Sequence, residues 1–446
     1  METECQEVGT SMDSQCNTVI AHLSDLHLGY SNTGCKLNKD GVRWREADGY
    51  MAWQRVVGEI IADGTVDAVL IAGDVFHTPT PSVLTVRQAQ LGVRRLADAK
   101  IPVVILTGNH DTSDIHAELA ATALLNDPEH GVYSHYEPYA FYDVNNDVRL
   151  HLVSHHLYKE QASTWGMVKP KEGMVNVFST HGSMIDPLTK LAMHTDASPR
   201  EVIIPDEIVN MPDWDYRLLG HIHERGFVGS RDNGRTDTSH LRTYYNGSLI
   251  RRGFSDGVTP LGRGWTKWTI TNSGVFIPEF HVVAQRPQED LPVIDALELS
   301  ASEVTDIAYD HVSNAVEPVE NNPFAAPILR QRIINITPEK RKAIDQVLLR
   351  RTASPALSWQ LSMRMIQGEQ QQAMADEQTD TDIRADDESK TGSSSGTGGL
   401  SSRFSKWLES SEAYEAVNDS IRDSVKASME KFIKQGQEAS LDAGEE

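Results

Sequence analysis

The 446-residue chain has few cysteines, no long apolar runs and little positive charge. Its three cysteines, Cys5, Cys16 and Cys35, are an odd number without CxxC spacing, which argues against a disulfide framework or a zinc knuckle. No apolar run approaches the roughly 20 residues of a membrane-spanning helix. The first 17 residues are acidic and lack the apolar stretch of a secretory signal. These absences predict a cytoplasmic protein that does not enter a membrane.

The net charge of −23 counts against a nucleic-acid partner. Part of this charge is segregated, because residues 366–446 hold 18 acidic and 8 basic residues and residues 1–365 carry the remaining −13. A site that binds two divalent cations would offset some of the acidity.

Short runs rich in Val, Ile and Leu recur along the first half of the chain, and each is followed by a polar cluster. This pattern is typical of strands buried on both faces. The runs are residues 18–23, 66–72, 103–107, 148–153, 175–180 and 216–219. Helical periodicity lies between them at 49–62 and 82–99, and strands separated by turns follow at 242–245, 264–271 and 274–283. The core is therefore predicted to be α/β, with sheets covered by helices.

The last third of the chain predicts smaller units. Residues 287–318 are acid-rich and indicate a connector, and residues 328–363 indicate a βαβ unit whose helix begins at Thr337 (N-cap) and Pro338. A Gln-, Ser- and Gly-rich stretch indicates a flexible linker, and residues 403–435 regain helical periodicity. The predicted divisions are an extension (1–17), a core (18–286), a connector with the βαβ unit (287–365), a linker (366–402) and a helical tail (403–446).

Five segments carry the chemistry: DLH at 25–27, GDVFH at 73–77, GNHD at 108–111, THG at 180–182 and GHIH at 220–223. Each directly follows an apolar run, and loops at the carboxyl ends of strands converge on one crevice. Asp74 has two carboxylate oxygens and can bridge two ions, while Asn109 offers a neutral carbonyl oxygen. The predicted ligands are Asp25, His27, Asp74, Asn109, His181, His221 and His223.

Mixed nitrogen and oxygen ligands suit manganese, iron or zinc better than calcium or an all-oxygen magnesium site. Two ions about 3.5–4 Å apart can hold a hydroxide and clamp a phosphate for in-line attack. One such segment alone is better explained by a capping residue or a turn. Five in order, each at a strand end, indicate a dinuclear centre.

Together these segments resemble the calcineurin-like metallophosphoesterases, and within them the nuclease subunit of the SbcCD-type DNA repair complex. The resemblance covers roughly residues 19–271 and includes HLSDLHLGY, ILTGNHD, FSTHGSM, LLGHIH and YYNGSLIRRGFSD. The last residues of GDVFH and GNHD favour the nuclease branch, because the protein phosphatases typically have an Arg after GD and end the second motif in Glu. The resemblance implies a two-sheet β-sandwich flanked by helices, with a small βαβ capping domain.

The resemblance also implies roles for individual residues. Asp25, His27, Asp74 and His223 would bind the first metal, and Asp74, Asn109, His181 and His221 the second; Mn²⁺ is the expected ion. His110 would stabilise the transition state or protonate the leaving oxygen, as a His can near neutral pH. His77 would position the DNA end. Asn246 stands where the family often has Pro, with little effect expected.

The family's capping domain helps to select DNA, and the βαβ unit fits that place. Its basic residues would neutralise DNA phosphates, although a solvated helix face explains them equally well. The predicted substrate contacts are Arg251, Arg252, Arg330, Arg332, Lys340 and Arg341. By position and character, the helical tail would dock the SbcC-type coiled-coil ATPase of the family, and a homodimer is a further expectation.

The predicted function is a manganese-dependent DNA nuclease, a 3′–5′ exonuclease on duplex ends and a single-strand endonuclease, acting in DNA repair, recombination or replication with the ATPase. Two alternatives stay open. A phosphomonoesterase or small-nucleotide phosphodiesterase would use the same site and fits the acidity better. A catalytically silent scaffold for the ATPase would not need the complete ligand set.

Overall fold

The computed structural model describes residues 17–31, 36–113, 120–154, 166–184, 203–205, 214–228, 242–254, 256, 262–271, 274–316 and 325–366. The chain divides into two compact units, Met1–Ala373 and Met374–Glu446. Every described residue belongs to the first unit. The predicted N-terminal extension apart from its last residue, the predicted linker after residue 366 and the helical tail all lie outside the described residues, as do the three cysteines.

The first sheet has six strands in the order β12-β11-β1-β2-β3-β4. Neighbours from β1 to β4 are parallel, whereas β11 runs antiparallel to β1 and to β12. Its strands are β1 (Thr18–Leu23), β2 (Ala68–Ala72), β3 (Val103–Leu106), β4 (Val132–His135), β11 (Gly264–Ile270) and β12 (Phe276–Val282).

The second sheet also has six strands, in the order β5-β6-β7-β8-β10-β9. Its central strands β6, β7, β8 and β10 are parallel. The strands are β5 (Tyr139–Asp143), β6 (Val148–Val153), β7 (Val175–His181), β8 (Tyr216–Gly220), β9 (Gly226–Phe227) and β10 (Thr243–Tyr245).

Strand β1 shows how the layers are held together. Val19 and Leu23 pack with the helices on one face, and Ile20 packs on the other face against residues of the second sheet such as Leu150 and Val177. Because side chains alternate along a strand, a strand covered on both faces is mostly apolar, as the sequence predicted; the buried polar residues of β1 are Thr18 and His22. The predicted two-sheet sandwich flanked by helices is confirmed.

Helices α1 (Trp44–Asp63) and α2 (Val83–Asp98) cover the first sheet. The Ser82 side chain caps α2 by accepting a hydrogen bond from the Thr85 amide, 3.1 Å away. Helix α1 begins five residues before the predicted start at residue 49. Its first turn is polar, but Arg45 and Asp48 are buried because they form an ion pair with each other.

Residues 288–365 contain a third sheet of four strands together with three helices. This range is called here the C-terminal α/β unit. Strands β13 (Gln288–Asp290), β14 (Ile294–Asp295) and β16 (Ser358–Met365) all run parallel to β15 (Ile328–Ile336). The predicted βαβ strands are therefore present. The predicted helix between them is two short helices, α4 (Pro338–Ala343) and α5 (Gln346–Thr352), because Asp345 caps α5 at the Leu348 amide.

The acidic segment predicted as a connector is structured. It contains β13, β14 and the helix α3 (Ala301–Ala315), which begins with a capping box formed by Ser300 and Glu303. Val304 and Ala308 are fully buried against the third sheet. The acidic residues of α3 lie on its outer face, so composition suggested a connector where there is an amphipathic helix. Within the described residues, no helix is long and apolar enough to cross a membrane.

Candidate dinuclear metal centre

The five predicted loops meet at one edge of the sandwich. Three of them follow the parallel neighbours β1, β2 and β3, and two follow β7 and β8, which are neighbours in the second sheet. Carboxyl ends of parallel strands share an edge, so their loops converge. All seven predicted ligands lie in this convergence.

A first group consists of Asp25, His27 and His223. The Nε2 atoms of the two histidines are 3.2 Å apart, and the Asp25 Oδ1 atom is 3.7 Å from His223 Nε2 and 3.9 Å from His27 Nε2. Each residue offers one ligand atom, and these atoms all lie within 4.8 Å of one another. Such spacing allows one cation to contact all three.

Asp74 lies between this group and a second one. Its Oδ2 atom is 3.4 Å from His27 Nε2 and 3.2 Å from His181 Nε2. His181 Nε2 is also 3.9 Å from Asp25 Oδ1. Asp25 therefore belongs to both the first group and a second group with Asp74 and His181, and Asp74 lies close to a histidine of each.

Asn109 and His221 complete the arrangement. The Asn109 Oδ1 atom is 3.3 Å from His221 Nδ1, and the His221 ring packs edge-on against His181 with centroids 5.1 Å apart. The His221 amide donates to both oxygens of Asp25 at 3.1 and 3.2 Å. The two loops after β1 and β8 are thus tied together through the Asp25 carboxylate.

The environment of His181 indicates a cation. Its Nδ1 atom is 2.8 Å from the Ala72 carbonyl oxygen and donates to it, so Nε2 faces the carboxylates. Nε2 is fully buried and lies 3.2 Å from Asp74 Oδ2. Burial alone would lower the pKa of His181, but Asp74 and Asp25 outweigh it and raise this pKa to about 9. The pocket therefore favours positive charge at this point, and the donor set suits divalent cations.

The ligand loops have strained backbones. Six non-glycine residues in the described part of the chain have positive φ angles, and four of them are Asp25, His27, Asp74 and His221. Left-handed conformations are unfavourable for residues with a Cβ and cluster at functional sites. The positive φ values occur at both aspartates and two of the histidines of the centre.

Two motif glycines allow the loops to approach each other. A Cβ atom at Gly73 would lie 2.3 Å from His181 Nδ1, and one at Gly108 would lie 2.2 Å from Asp74 Oδ1. Both distances are far inside van der Waals contact, so any side chain there would displace a predicted ligand. Gly73 also has a φ of 90°, which glycine adopts without strain.

His110 lies beside the centre with one ring nitrogen committed. Its amide donates to Asp74 Oδ1 at 2.9 Å, and its Nδ1 atom is 2.8 Å from the His77 carbonyl oxygen, to which it donates. Its ring packs edge-on against His27 at 4.9 Å and is stacked with His77 at 5.5 Å. Burial, with His110 and Arg252 nearby, lowers the pKa of His77 to about 4, so His77 is neutral near pH 7.

Asp111 holds loops together and does not point at the centre. Its carboxylate accepts hydrogen bonds from the Phe76 amide at 2.8 Å, the Gly108 amide at 2.9 Å and the Val75 amide at 3.3 Å. Burial and the nearby Asp74 raise its pKa to about 7. This residue links the loop after β2 to the loop after β3.

The predicted substrate contacts are spread over two regions. Arg252 is the one among them that reaches the centre in the described structure, with its guanidinium 2.9 Å from His223 Nδ1 and 3.5 Å from His27 Nδ1. Arg251 instead donates to the Gln288 carbonyl at 2.8 Å and so contacts the C-terminal α/β unit.

Three of the four predicted substrate-contact residues in the C-terminal α/β unit form ion pairs or hydrogen bonds within that unit. Arg330 forms a two-pronged ion pair with Asp290, and Arg332 lies 3.9 Å from the same carboxylate. Lys340 donates to two carbonyl oxygens of residues 296 and 297 at 2.9 Å. Arg341 is exposed and lines a groove of about 570 Å³ together with Arg350.

Three residues beside the centre were missed by sequence reasoning. The Asp256 Oδ1 atom is 3.0 Å from His223 Nδ1. The Tyr30 hydroxyl donates to the Arg252 carbonyl at 2.7 Å, and Arg263 donates to the His223 carbonyl at 2.7 Å. Tyr30 is the last residue of HLSDLHLGY, and Asp256 is the last residue of YYNGSLIRRGFSD. Neither stretch of sequence indicates which distant residue these side chains contact.

Asn246, which stands where the family often has Pro, also has a structural role. This buried side chain donates to the Gly264 carbonyl at 3.1 Å and accepts from the Thr266 hydroxyl at 2.9 Å. Proline could make neither bond. Asn246 therefore ties the loop after β10 to β11, a larger role than the small effect predicted from sequence.

Comparison with known proteins gives one family match. Residues 18–225 match the family model described as calcineurin-like phosphoesterase. Similar curated proteins are the DNA double-strand break repair proteins Mre11 of Aeropyrum pernix, 36% identical over 99 residues, and of Haloferax volcanii, 35% identical over 118 residues. These alignments cover 22% of this chain and 22% of the first relative, and 25% of each chain for the second. The match thus spans about a quarter of these relatives or less.

Solved structures with a similar fold include a dimetal phosphatase from Danio rerio and the nuclease MPE of Pseudomonas putida. The first is 12% identical with a TM-score of 0.34, covering 56% of this chain and 92% of that one. The second is 14% identical with a TM-score of 0.23, covering 58% and 87%. Such scores are too low to add to the assignment.

The family match agrees with the position of the centre. All five loops, from Asp25 to His223, fall inside the matched range, and the two-sheet fold carries them at one edge. Residues 18–225 of this chain therefore match the calcineurin-like phosphoesterase family in sequence.

Proposed function

We propose that this protein is a dinuclear metal-dependent phosphodiesterase that hydrolyses DNA. The observation that carries the proposal is the position of Asp74, whose one carboxylate oxygen is within 3.4 Å of histidine nitrogens from two different ligand groups. DNA is favoured as the substrate because the curated relatives are named as DNA double-strand break repair proteins.

In the proposed centre, Asp25, His27, Asp74 and His223 hold one cation, and Asp74, Asn109, His181 and His221 hold the other. Two bound cations, Mn²⁺ in this proposal, would supply Lewis acidity toward the phosphate and activate an attacking water. Support comes from the mixed nitrogen and oxygen donors and from the buried Nε2 atom of His181.

His110 is proposed to act on the leaving oxygen. Its Nδ1–H donates to the His77 carbonyl, so Nε2 is the nitrogen that remains for the substrate, and it would give a proton to the leaving oxygen from the doubly protonated ring. Asp74 accepts a hydrogen bond from the His110 backbone amide, so this contact does not occupy Nε2. A histidine in this position can donate a proton as the P–O bond breaks.

His77 is proposed to position a duplex end. It is not needed to complete either proposed ligand set, yet its ring lies 5.5 Å from the rings of both His27 and His110. Tyr30 supports it edge-on at 5.0 Å. A duplex end must be distorted to bring its phosphate to the centre, whereas a flexible single strand need not be. The resulting activities would be 3′–5′ exonuclease on duplex ends and endonuclease on single strands.

Contacts to the DNA backbone are proposed for Arg252 at the centre and for exposed basic residues of the C-terminal α/β unit, the proposed capping domain. Arg341, Lys342, Arg350 and Arg351 are exposed there, whereas Arg330 is paired with Asp290. Lysine and arginine that neutralise phosphates make binding depend on salt.

The helical tail at residues 403–435 is proposed to dock an SbcC-type ATPase, and its apolar periodicity is the support for this. A homodimer is also proposed, on the resemblance alone.

The test of the proposal compares four substrates with the full chain: a 3′-labelled duplex, single-stranded circular DNA, a para-nitrophenyl phosphate monoester and the corresponding diester. Each is incubated with Mn²⁺ and with EDTA. The proposal expects both DNA substrates and the diester to be cleaved with Mn²⁺ only. Cleavage of the monoester without cleavage of DNA would contradict it and favour a phosphomonoesterase. No cleavage of any substrate would favour a silent scaffold.

A further inference from the structure

Asp256 lies against the outer nitrogen of a proposed ligand. Its Oδ1 atom is 3.0 Å from His223 Nδ1, while His223 Nε2 faces inward, 3.2 Å from His27 Nε2 and 3.7 Å from Asp25 Oδ1. The two ring nitrogens therefore have different surroundings: one faces the centre and the other a carboxylate. The Asp256 side chain is 9% exposed, so water does not compete strongly for this contact.

The chemistry of imidazole gives this contact a direction. A neutral imidazole carries one proton, and a nitrogen that binds a cation must carry none. A carboxylate at Nδ1 accepts the proton there and leaves the Nε2 lone pair toward the centre.

We propose that Asp256 is a positioning residue that fixes the tautomer and orientation of His223 and so strengthens binding of the first cation. The inference rests on the proposed function, because it assumes that His223 is a ligand. Carboxylates that accept a hydrogen bond from a ligand histidine orient the ring and make it a stronger donor.

The same carboxylate arranges Arg252. The Arg252 amide donates to Asp256 Oδ2 at 2.9 Å, and its guanidinium Nη2 atom lies 2.9 Å from His223 Nδ1. One nitrogen cannot both donate to Asp256 and accept from Arg252. With the proton on Nδ1, Arg252 cannot donate to this nitrogen, so its Nη2 donor is left for another acceptor such as a phosphate oxygen.

The backbone of the Arg252 loop is anchored independently of Asp256. The Tyr30 hydroxyl donates to the Arg252 carbonyl, and Arg45 donates to the Arg251 carbonyl. Loss of the Asp256 carboxylate should therefore change the bonding at His223 more than the path of the loop. An asparagine at this position could still accept from the Arg252 amide but would lack the charge, so Asp256→Asn separates the two contributions.

The experiment is a Mn²⁺ titration of the full chain, followed by calorimetry and by the EPR signal of free Mn²⁺. In Asp256→Ala we expect one of two cations to bind about 10–100-fold more weakly and the other to bind as in the wild type. Asp256→Asn should be weakened at the same cation by a smaller factor. The matched control is Asp127→Ala, which removes a carboxylate 2.8 Å from the His130 ring on the surface and should leave both affinities unchanged.

A second readout is the ¹⁵N-histidine NMR spectrum of the Zn²⁺-loaded protein. The His223 Nδ1 proton should be protected from exchange in the wild type and lose that protection in Asp256→Ala. Wild-type affinity for both cations in Asp256→Ala and Asp256→Asn would overturn the inference, as would equal weakening of both cations. A wild type that binds two cations but leaves DNA and phosphodiesters intact would instead contradict the proposed function, and the titration would still decide the role of Asp256.

Discussion

Asp48 is the centre of a buried ion network, and its removal should destabilise the protein strongly. Arg286 contacts the Asp48 carboxylate through two nitrogens at 2.8 and 2.9 Å, and Arg45 contacts it at 3.1 Å. The three side chains are between 0% and 6% exposed. Asp48→Ala would leave two buried guanidinium groups without their carboxylate, and such unpaired buried charges cost about 3–5 kcal/mol. That is a large fraction of the roughly 5–15 kcal/mol that holds a typical domain folded.

The network also joins parts of the molecule. Arg286 donates to the Ala326 carbonyl at 2.7 Å, at the entry to β15, and Arg45 donates to the Arg251 carbonyl beside the metal centre. Asp48→Ala should therefore loosen the C-terminal α/β unit and the Arg251 loop together. Urea unfolding followed by tryptophan fluorescence measures the loss, because the Trp44 ring lies 5.6 Å from the Arg286 guanidinium.

Asp143→Ala is the matched control. Asp143 forms a two-pronged ion pair with Arg149, but its side chain is 38% exposed. Exposed pairs contribute about 0–1 kcal/mol, since water solvates the partner that remains. A loss below about 1 kcal/mol in Asp48→Ala, equal to that of the control, would refute the assignment of a buried, coupled network.

Three further predictions follow from the site. His110→Ala should abolish phosphodiester cleavage while two Mn²⁺ remain bound, because the Asp74 contact is made by the backbone; loss of one equivalent of metal would make His110 a ligand. His77→Ala should reduce duplex exonuclease activity more than single-strand endonuclease activity, with His130→Ala, which removes an exposed surface histidine, as the control; equal losses in both assays would argue against a positioning role. Deleting residues 403–446 should leave Mn²⁺-dependent cleavage of single strands unchanged but abolish pull-down of an SbcC-type ATPase; pull-down at full affinity would contradict docking through the tail.

The sequence predicted much of the centre because its geometry is local. Each motif follows a strand directly, so the order of residues along the chain determines which side chains reach the shared edge, as for Asp25 after β1 and His181 at the end of β7. Parallel neighbours then bring the loops together without any further information. For the same reason, the glycines of GD and GNHD could be recognised as part of the site.

Contacts between distant segments were not predictable in this way. Asp256 meets His223 across 33 positions, and Asp48 meets Arg286 across 238, with no periodic signal in either case. The first turn of α1 was not predicted for the same reason. Arg45 and Asp48 have the character of solvated residues when each is considered alone, and their burial depends on the ion pairs that they form. In the acidic segment, the charged outer face of α3 outweighed Val304 and Ala308, the buried residues that define the helix.

Two cations held around Asp74 are proposed to carry out phosphodiester hydrolysis. The most direct measurement is a Mn²⁺ titration of wild type and Asp74→Asn, recording bound metal per chain and cleavage of a phosphodiester in the same samples. The wild type should bind two Mn²⁺ per chain and reach full activity only when both are bound. Asp74→Asn should weaken both ions together, because a neutral amide cannot offer two anionic oxygens. Full activity with one ion, or one site of Asp74→Asn at wild-type affinity, would contradict the account.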